Sequence, residues 1–459
     1  MSAKPDSVAP PGAPKGTYRI ETWGCQMNVH DSEKLAGALE AEGFVPAPTS
    51  CEADVVLLNT CAIRQKAEEK FFSEAGRLLA GKRRRPGMIL GVCGCVAQAE
   101  GKALLERAPH VDFVLGPRSA PAAVADLVRR LRAGDESARG TVNLELRDDS
   151  VRFPFDRIRR DPGSPGKAYV TIVEGCNHRC AFCVVPKTRG REVCRPMGDV
   201  LAEVRALAAR GVLEVEFLGQ TVNAYRDEDG RRLGDLLHAA AEIDGLRRIR
   251  FTTSHPAQMT DALIDAMAAA LPKVCPYLHL PVQSGSSAVL SAMRRGYDRG
   301  GYLGRVARLR ERCPGVSLGT DVIVGFPGEG EPEFRETLAL LEEVRFDTVY
   351  AFAYSPRRGT AAHELADLVP QEVKLDRLAR IQARQKEIQV ERNRLWLGRT
   401  VDVLVEGTSK RRSSEASGRL PENRVVNFEG AAAPGTIVEV EIVRASAYSL
   451  WGRRVPREP

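Results

Sequence analysis

The stretch Glu174-Gly175-Cys176-Asn177-His178-Arg179-Cys180-Ala181-Phe182-Cys183-Val184-Val185-Pro186 lies near the middle of the chain, and the reading of the rest turns on it. Its three cysteines follow the spacing C-x3-C-x2-C, directly after an apolar, alternating run from Lys167 to Val173 that predicts a strand. Three thiolates on one short loop suffice for three corners of an iron–sulfur cube, which leaves the fourth iron without a protein ligand. A small molecule can chelate such an open iron, and the cluster then becomes a reaction centre instead of an electron store. The alternative is a tetrahedral zinc site, which needs a fourth ligand close by. His178 inside the loop and Cys194 beyond it are of the right type. A disulfide framework is disfavoured, because eleven cysteines in a long chain without a secretory signal point to a reducing compartment and to metal or catalytic use.

Upstream of the loop, from Thr17 to about Leu115, strand and helix patterns alternate. Tyr18 to Trp23 reads as a strand. Asp31 to Glu42 reads as an amphipathic helix capped by Asp31 and stopped by Gly43. Val55 to Leu58 is a continuous apolar run, the mark of a parallel strand buried on both faces. A helix from about Ile63 to Leu79 and a strand at Met88 to Val92 complete a small doubly wound parallel α/β domain. Cys25, Cys61 and Cys95 each fall just past the end of one of these strands. The carboxyl ends of parallel strands share one edge of a sheet, so topology predicts a second three-cysteine cluster there. Cys93 competes with Cys95 for the third position, but its side chain should point to the opposite face of the strand.

Downstream, from Lys167 to about Leu395, strand-like runs recur near Val170, at Val215 to Leu218, Ile249 to Thr253, Tyr277 to Leu280, Ser317 to Val324 and Thr348 to Phe352, with helical patterns between them. Six β–α units predict a partial (β/α)6 barrel whose chemistry sits at the carboxyl ends of its strands. Pro370 to Arg394 reads as a polar helix. Thr400 to Val405, Arg424 to Phe428, Thr436 to Val443 and Tyr448 to Arg453 then alternate as the short strands of a small antiparallel β-barrel. Arg411, Arg412, Arg419, Arg424, Phe428, Tyr448 and Trp451 supply that barrel with the cations and aromatics of a nucleic-acid surface.

A chain of 459 residues exceeds one hydrophobic core. The expected division is a disordered tail at 1–16, an N-terminal domain at 17–134, a Pro- and Arg-rich linker at 135–161, the partial barrel at 162–395 and the C-terminal barrel at 396–459. No window offers the ~20 uninterrupted apolar residues of a membrane span, so no membrane partner is expected. The net charge of +7 is compatible with a nucleic-acid partner without demanding one. Cys51, Cys93, Cys194, Cys275 and Cys313, outside both trios, are expected to pack in cores.

With Phe182 before its last cysteine, the loop resembles the C-x3-C-x-aromatic-C signature of the radical S-adenosylmethionine (SAM) enzymes. Nearly the whole chain is similar to the radical-SAM methylthiotransferase family, through Gly24-Cys25-Gln26-Met27-Asn28, Asn59-Thr60-Cys61, Gly94-Cys95-Val96-Ala97, Gly175 to Pro186, Leu218 to Tyr225, Ser254-His255-Pro256, Gln283-Ser284-Gly285 and Tyr448 to Gly452. The resemblance implies an N-terminal cluster domain, a radical-SAM domain and an RNA-binding TRAM domain. It also implies two 4Fe–4S clusters. One, on Cys176, Cys180 and Cys183, chelates SAM and cleaves it to a radical; the other, on Cys25, Cys61 and Cys95, presents the sulfur to be inserted. Phe182, Gln220, Ser254 and Gln283 are the SAM contacts so implied. Gly24 to Asn28 followed by Asp31-Ser32-Glu33 looks most like the branch that methylthiolates carbon-2 of N(6)-isopentenyladenosine at position 37 of tRNA. Sister branches act on threonylcarbamoyladenosine or on a ribosomal-protein aspartate. A non-catalytic iron–sulfur RNA-binding protein is the reading from another class. A cytoplasmic monomer served by a reducing electron donor completes the expectation.

Overall fold

The structure is a computed structural model that describes residues 14–62, 65–160, 165–366 and 369–455. Most of the expected tail at 1–16 lies outside the described residues. The chain divides into two compact units, one of residues 1–159 with 187–189 and one of 160–186 with 190–459.

The first unit is built on a six-stranded sheet. In chain order it runs β1 (Gly16–Trp23), α1 (Gln26–Ala41), β2 (Phe44–Pro46), β3 (Val55–Thr60), α2 (Gln65–Arg84), β4 (Ile89–Gly94), α3 (Cys95–Glu100), α4 (Lys102–Arg107), β5 (Phe113–Leu115), α5 (Ala120–Arg132) and β6 (Thr141–Asn143). The sheet order is β2-β1-β3-β4-β5-β6, and every pairing is parallel. Alternate side chains of β3 enter opposite cores. Val55 and Leu57 pack with Leu35, Leu39, Val124 and Leu127 on one face; Val56 and Leu58 pack with Phe71, Leu78, Val96 and Leu104 on the other. Helices therefore cover both faces, as the unbroken apolar run requires.

Helix α1 starts five residues before the expected Asp31. Cys25 is its N-cap, and the Cys25 backbone N–H donates to Asn28 Oδ1 at 3.3 Å. Asp31 is buried inside the helix and paired with Arg189 at 2.6 Å. The stretch expected as linker, 135–161, supplies the sixth strand, Thr141–Asn143 beside Phe113–Leu115.

The second unit contains β7 (Lys167–Thr171), β8 (Val173–Glu174), α6 (Val185–Thr188, whose last two residues group with the first unit), β9 (Val193–Cys194), α7 (Met197–Ala209), β10 (Glu214–Leu218), α8 (Leu233–Ala241), β11 (Arg248–Phe251), α9 (Asp261–Ala269), β12 (Tyr277–His279), α10 (Ser287–Ala292), α11 (Arg299–Arg312), β13 (Ser317–Val324), α12 (Glu331–Val344), β14 (Thr348–Ala353) and α13 (Gln371–Arg394). Two parallel three-stranded sheets, β7-β10-β11 and β12-β13-β14, are joined by a parallel bridge between Ile249 and Val274. Six strands in chain order with helices outside form the partial barrel expected from the β–α count.

Five further strands close into the small barrel: β15 (Thr400–Thr408), β16 (Glu415–Arg419), β17 (Val425–Glu429), β18 (Ile437–Ala445) and β19 (Leu450–Arg454). Strand β16 escapes sequence reading because Glu-Ala-Ser-Gly-Arg lacks the β-branched and aromatic residues that mark strands. One pairing departs from the antiparallel expectation, since β17 and β19 run parallel. Arg248 and Arg250 on β11 tie this barrel to the larger one. Arg248 donates to the carbonyls of Arg419 (2.9 Å) and Asp402 (2.8 Å), and Arg250 to those of Pro421 (2.6 Å) and Leu420 (2.5 Å).

Candidate active site

In the first unit, the register of the sheet sets the site. Trp23 on β1 pairs with Thr60 on β3, and Thr60 pairs with Gly94 on β4, so the three strands end level. Cys61 and Cys95 follow their strands by one residue and Cys25 by two. The edge they share lies where the strand order reverses between β1 and β3, the place where open α/β sheets bind ligands.

Cys61 hydrogen-bonds Cys25, and this bond is the main cause that takes the Cys25 thiol down to about 6. Burial opposes it, while Arg189 and the backbone of Asn28 and Met27 assist. Burial pushes Cys95 up, with Arg189 partly offsetting it and Cys25 close enough to add to it. Asn59 braces the edge by donating to Asn28 O (2.9 Å) and Ser32 Oγ (2.8 Å). Gly94, at φ +90°, leaves room for Asn59, whose Oδ1 would lie 2.3 Å from a Cβ there. Cys93 faces the other way, fully buried among Leu35, Leu57 and Phe113. The hydroxyl of Thr60, level with the strand ends, is buried without a hydrogen-bond partner among the described residues.

In the second unit, the cysteine loop leaves β8 through Gly175. Its φ is +83°, and a Cβ there would stand 2.0 Å from Arg191 O. Backbone bonds hold the loop: Cys176 N–H to Gly190 O (3.1 Å), Cys183 N–H to Cys180 O (3.1 Å) and Ala181 N–H to Met293 O (2.9 Å). The three thiols lie within electrostatic range of one another, and burial pushes Cys176 up and Cys183 up to about 12. Cys176 Sγ contacts Thr221 Oγ1 at 3.3 Å, Cys183 Sγ accepts from Val185 N–H at 3.4 Å, and Cys180 Sγ accepts from Arg295 at 3.3 Å. His178 stacks on His255, ring centroids 3.8 Å apart. Burial, then Arg295 and His178, hold His255 down to about 2, so its imidazole is neutral at physiological pH.

Among the described residues, no three His, Cys, Asp or Glu side chains converge on the point a single metal ion would occupy. A cube binds each thiolate to its own iron and so accepts a wider spacing than a tetrahedral zinc ion does. Of the two fourth ligands that zinc could take, His178 stacks on His255 with its Nε2 buried and unpartnered among the described residues, and Cys194 Sγ accepts from Arg226 N–H at 3.4 Å.

The four expected SAM contacts fall as follows. Gln220, after β10, accepts from Gly175 N–H and so braces the cysteine loop. Ser254, after β11, is buried with an unpartnered hydroxyl among the described residues. Gln283, after β12, holds φ +74°, and Thr253 beside Ser254 holds φ +76°. A β-branched residue in that region is strained, and such strain gathers at functional sites. Phe182 is half-buried against Ala181, Met293, Phe326 and Tyr354. The donor set, the orphaned Ser254 hydroxyl and the two strained turns fit a cluster with a chelating ligand.

Family profiles match along the chain: the uncharacterized protein family UPF0004 over residues 17–116, the radical SAM superfamily over 170–341 and the TRAM domain over 394–455. The chain is 44% identical to the tRNA-2-methylthio-N(6)-dimethylallyladenosine synthase of Syntrophotalea carbinolica over 96% of this chain and 100% of that one. It is 46% identical to the synthase of the same name from Methylococcus capsulatus over 95% of each. The chain belongs to the tRNA-2-methylthio-N(6)-dimethylallyladenosine synthase family. Among solved structures, the radical SAM methyltransferase TsrM from Kitasatospora setae, with cobalamin and a 4Fe–4S cluster bound, shares the fold. Its TM-score is 0.57, with 18% identity over 76% of this chain and 77% of that one.

For a member of this family, the C-terminal barrel offers fewer surface groups than its composition promised. Phe428 is fully buried in the barrel core, and Arg424 is buried and committed to Asn393 and Asp347; neither is free for RNA. Arg419 is held by Glu406 (2.9 Å), and Trp451 donates to Glu415 (3.0 Å) beneath Arg444. Tyr448, 69% exposed, and the exposed Arg411 remain available, and the exposed Arg412 is paired with Glu415 at 3.2 Å. Cys93, Cys275 and Cys313 are core residues as expected and Cys194 is half-buried, but Cys51 is exposed. Arg295 was not singled out by sequence reading, because no periodicity or spacing links it to either trio, and the stacking of His178 on His255 joins two motifs read separately.

Proposed function

We propose that Cys176, Cys180 and Cys183 hold one 4Fe–4S cluster, that Cys25, Cys61 and Cys95 hold a second, and that the chain methylthiolates carbon-2 of N(6)-isopentenyladenosine at position 37 of tRNA. The observation that carries this is the level ending of β1, β3 and β4, which gathers three thiols distant in sequence while the loop after β8 gathers three more. When bound, the clusters and SAM supply one-electron cleavage of SAM and a sulfur for insertion.

The protein supplies position and shelter. Gln220 fixes the turn at Gly175, Phe182 offers a ring at the loop, and Ser254 and Gln283 offer polar groups to SAM. The stacked, neutral His178 and His255 keep water and protons from the trio of Cys176, Cys180 and Cys183. The domain boundaries we propose are 162–395 and 396–459 for the second and third domains, with the first extended beyond 134 by the strand Thr141–Asn143, and with the last domain meeting tRNA through Tyr448, Arg411 and Arg412. The reading places the enzyme in the cytoplasm as a monomer served by a low-potential one-electron donor. No described helix is long and apolar enough to cross a membrane.

Reconstituted protein should contain two clusters by iron and sulfide analysis and should release 5′-deoxyadenosine from SAM under reduction. Cys180→Ala should abolish that release; Cys61→Ala should retain it yet yield no methylthiolated nucleoside. Release from the first variant or product from the second would each remove an assignment. Mass spectrometry of tRNA nucleosides from a deletion strain decides the substrate. Loss of the methylthio group from threonylcarbamoyladenosine instead would transfer the chain to the sister reaction.

A further inference from the structure

We infer that Arg295 is the counter-ion of the cluster on Cys176, Cys180 and Cys183 and sets its reduction potential. The inference rests on the reading above that these cysteines hold a cluster.

Eight arginines are buried among the described residues. Seven of them pair with a carboxylate: Arg118 with Asp148, Arg189 with Asp31, Arg195 with Glu203, Arg248 and Arg250 with Glu214, Arg377 with Glu329 and Arg424 with Asp347. Arg295 is the exception. Its Nη1 donates to Cys180 Sγ (3.3 Å), its Nη2 to Pro281 O (3.0 Å) and its Nε to Tyr297 Oη (3.0 Å). Tyr297 in turn donates to Val282 O at 2.8 Å, which fixes the guanidinium from below. A buried cation without a carboxylate is costly. Of the two ionisable groups Arg295 bonds, the Tyr297 phenol is pushed up by burial and stays neutral, which leaves the Cys180 sulfur to carry the compensating charge. The stacked imidazoles beside it bring none. The arrangement becomes balanced when Cys180 is a thiolate bound to iron.

Reduction adds one electron to the cluster from an external low-potential donor. A fixed positive charge one hydrogen bond from a ligand sulfur favours the more negative, reduced form. Arg295 thereby raises the potential and eases the transfer of that electron from the donor to the cluster, while lowering the driving force with which the cluster passes it on to SAM.

The test is a redox titration of the full-length, anaerobically reconstituted protein followed by electron paramagnetic resonance. The relevant cluster is recognised by the change in its signal when SAM is added. Arg295→Met should load both clusters and titrate at a lower potential than the wild type, and Arg295→Lys should lie between the two. An unchanged potential in a loaded Arg295→Met variant would overturn the inference while leaving the two-cluster reading intact. If the methionine variant fails to load, the lysine variant decides: a lowered potential supports the counter-ion role and an unchanged one overturns it. A wild-type protein lacking a SAM-responsive cluster would instead defeat the reading on which the inference stands.

Discussion

Glu214→Gln tests how the C-terminal barrel is held. Glu214 on β10 is buried and accepts from Arg250 Nε at 2.8 Å, with Lys167 at 3.6 Å and Arg248 at 3.8 Å. Among the described residues, Glu216 is the other carboxylate within ion-pair distance of these cations, 2.6 Å from Lys167. Two buried arginines and the half-buried Lys167 thus share two close anions, and the substitution leaves them with one. Removing one member of a buried charge set costs about 3–5 kcal/mol. Glutamine can still accept from Arg250, so the lower end of that range applies. For a unit of this size each kcal/mol moves the melting temperature by about 2–4 °C, which predicts a fall of about 6–12 °C. Because Arg248 and Arg250 spend their remaining donors on carbonyls of the small barrel, limited proteolysis should cut first within residues 396–455. The pH dependence follows from Glu214 itself. Burial would raise its pKa, but Arg250, Lys167 and Arg248 outweigh burial and hold it below the usual value. The contribution is therefore complete above the ordinary glutamate value of about 4.3 and is lost as pH falls through the depressed folded one. The gap between variant and wild type should stay constant through neutral pH and close only in strong acid. A variant melting within about 2 °C of the wild type, or a gap that widens toward acid, would refute the reasoning.

Gly175→Ala should reduce iron content from two clusters to one, because a Cβ there collides with Arg191 O at 2.0 Å and φ +83° is strained for alanine. Full iron content in that variant would show that the loop tolerates another path. Phe428→Ala should destabilise the small barrel by about 3–5 kcal/mol through the cavity it leaves, seen as early unfolding in thermal melts. Tyr448→Ala, at an exposed site, should change stability by less than about 0.5 kcal/mol yet weaken tRNA binding by about 1–3 kcal/mol if the ring stacks on a base. Arg411→Ala should reduce the salt-dependence slope of tRNA binding by about one unit, read from affinities across a range of salt concentrations.

The architecture was readable because parallel sheets leave a plain record in sequence. Val55 to Leu58 must be buried on both faces, and such a strand can exist only between helices, so the first unit followed from four residues. The six runs of the partial barrel were read the same way. What failed was local. Helix α1 begins at Gln26 because Asn28 caps the Cys25 backbone, a reciprocal arrangement that Cys-Gln-Met-Asn does not advertise beside the more familiar Asp31. Strand β16 and the Thr141–Asn143 strand are short and polar, and only their neighbours' unpaired edges call for them.

At the site, the two trios were legible for different reasons. Cys176, Cys180 and Cys183 share one loop, so spacing alone announces them. Cys25, Cys61 and Cys95 span seventy residues, and only the rule that parallel strands end on a common edge brings them together. The choice of Cys95 over Cys93 needed nothing beyond the two-residue period of a strand. Arg295 had no comparable signal. It stands 115 residues from Cys180 in Met-Arg-Arg-Gly-Tyr, a run that reads as a solvated turn, and Arg294 beside it is indeed exposed. A ligand must sit where the chain can present it, so topology predicts ligands. A counter-ion need only approach through space, and any element packed nearby can provide it. The charges that tune a centre are therefore found by asking which buried ion lacks a partner, a question that only coordinates can answer.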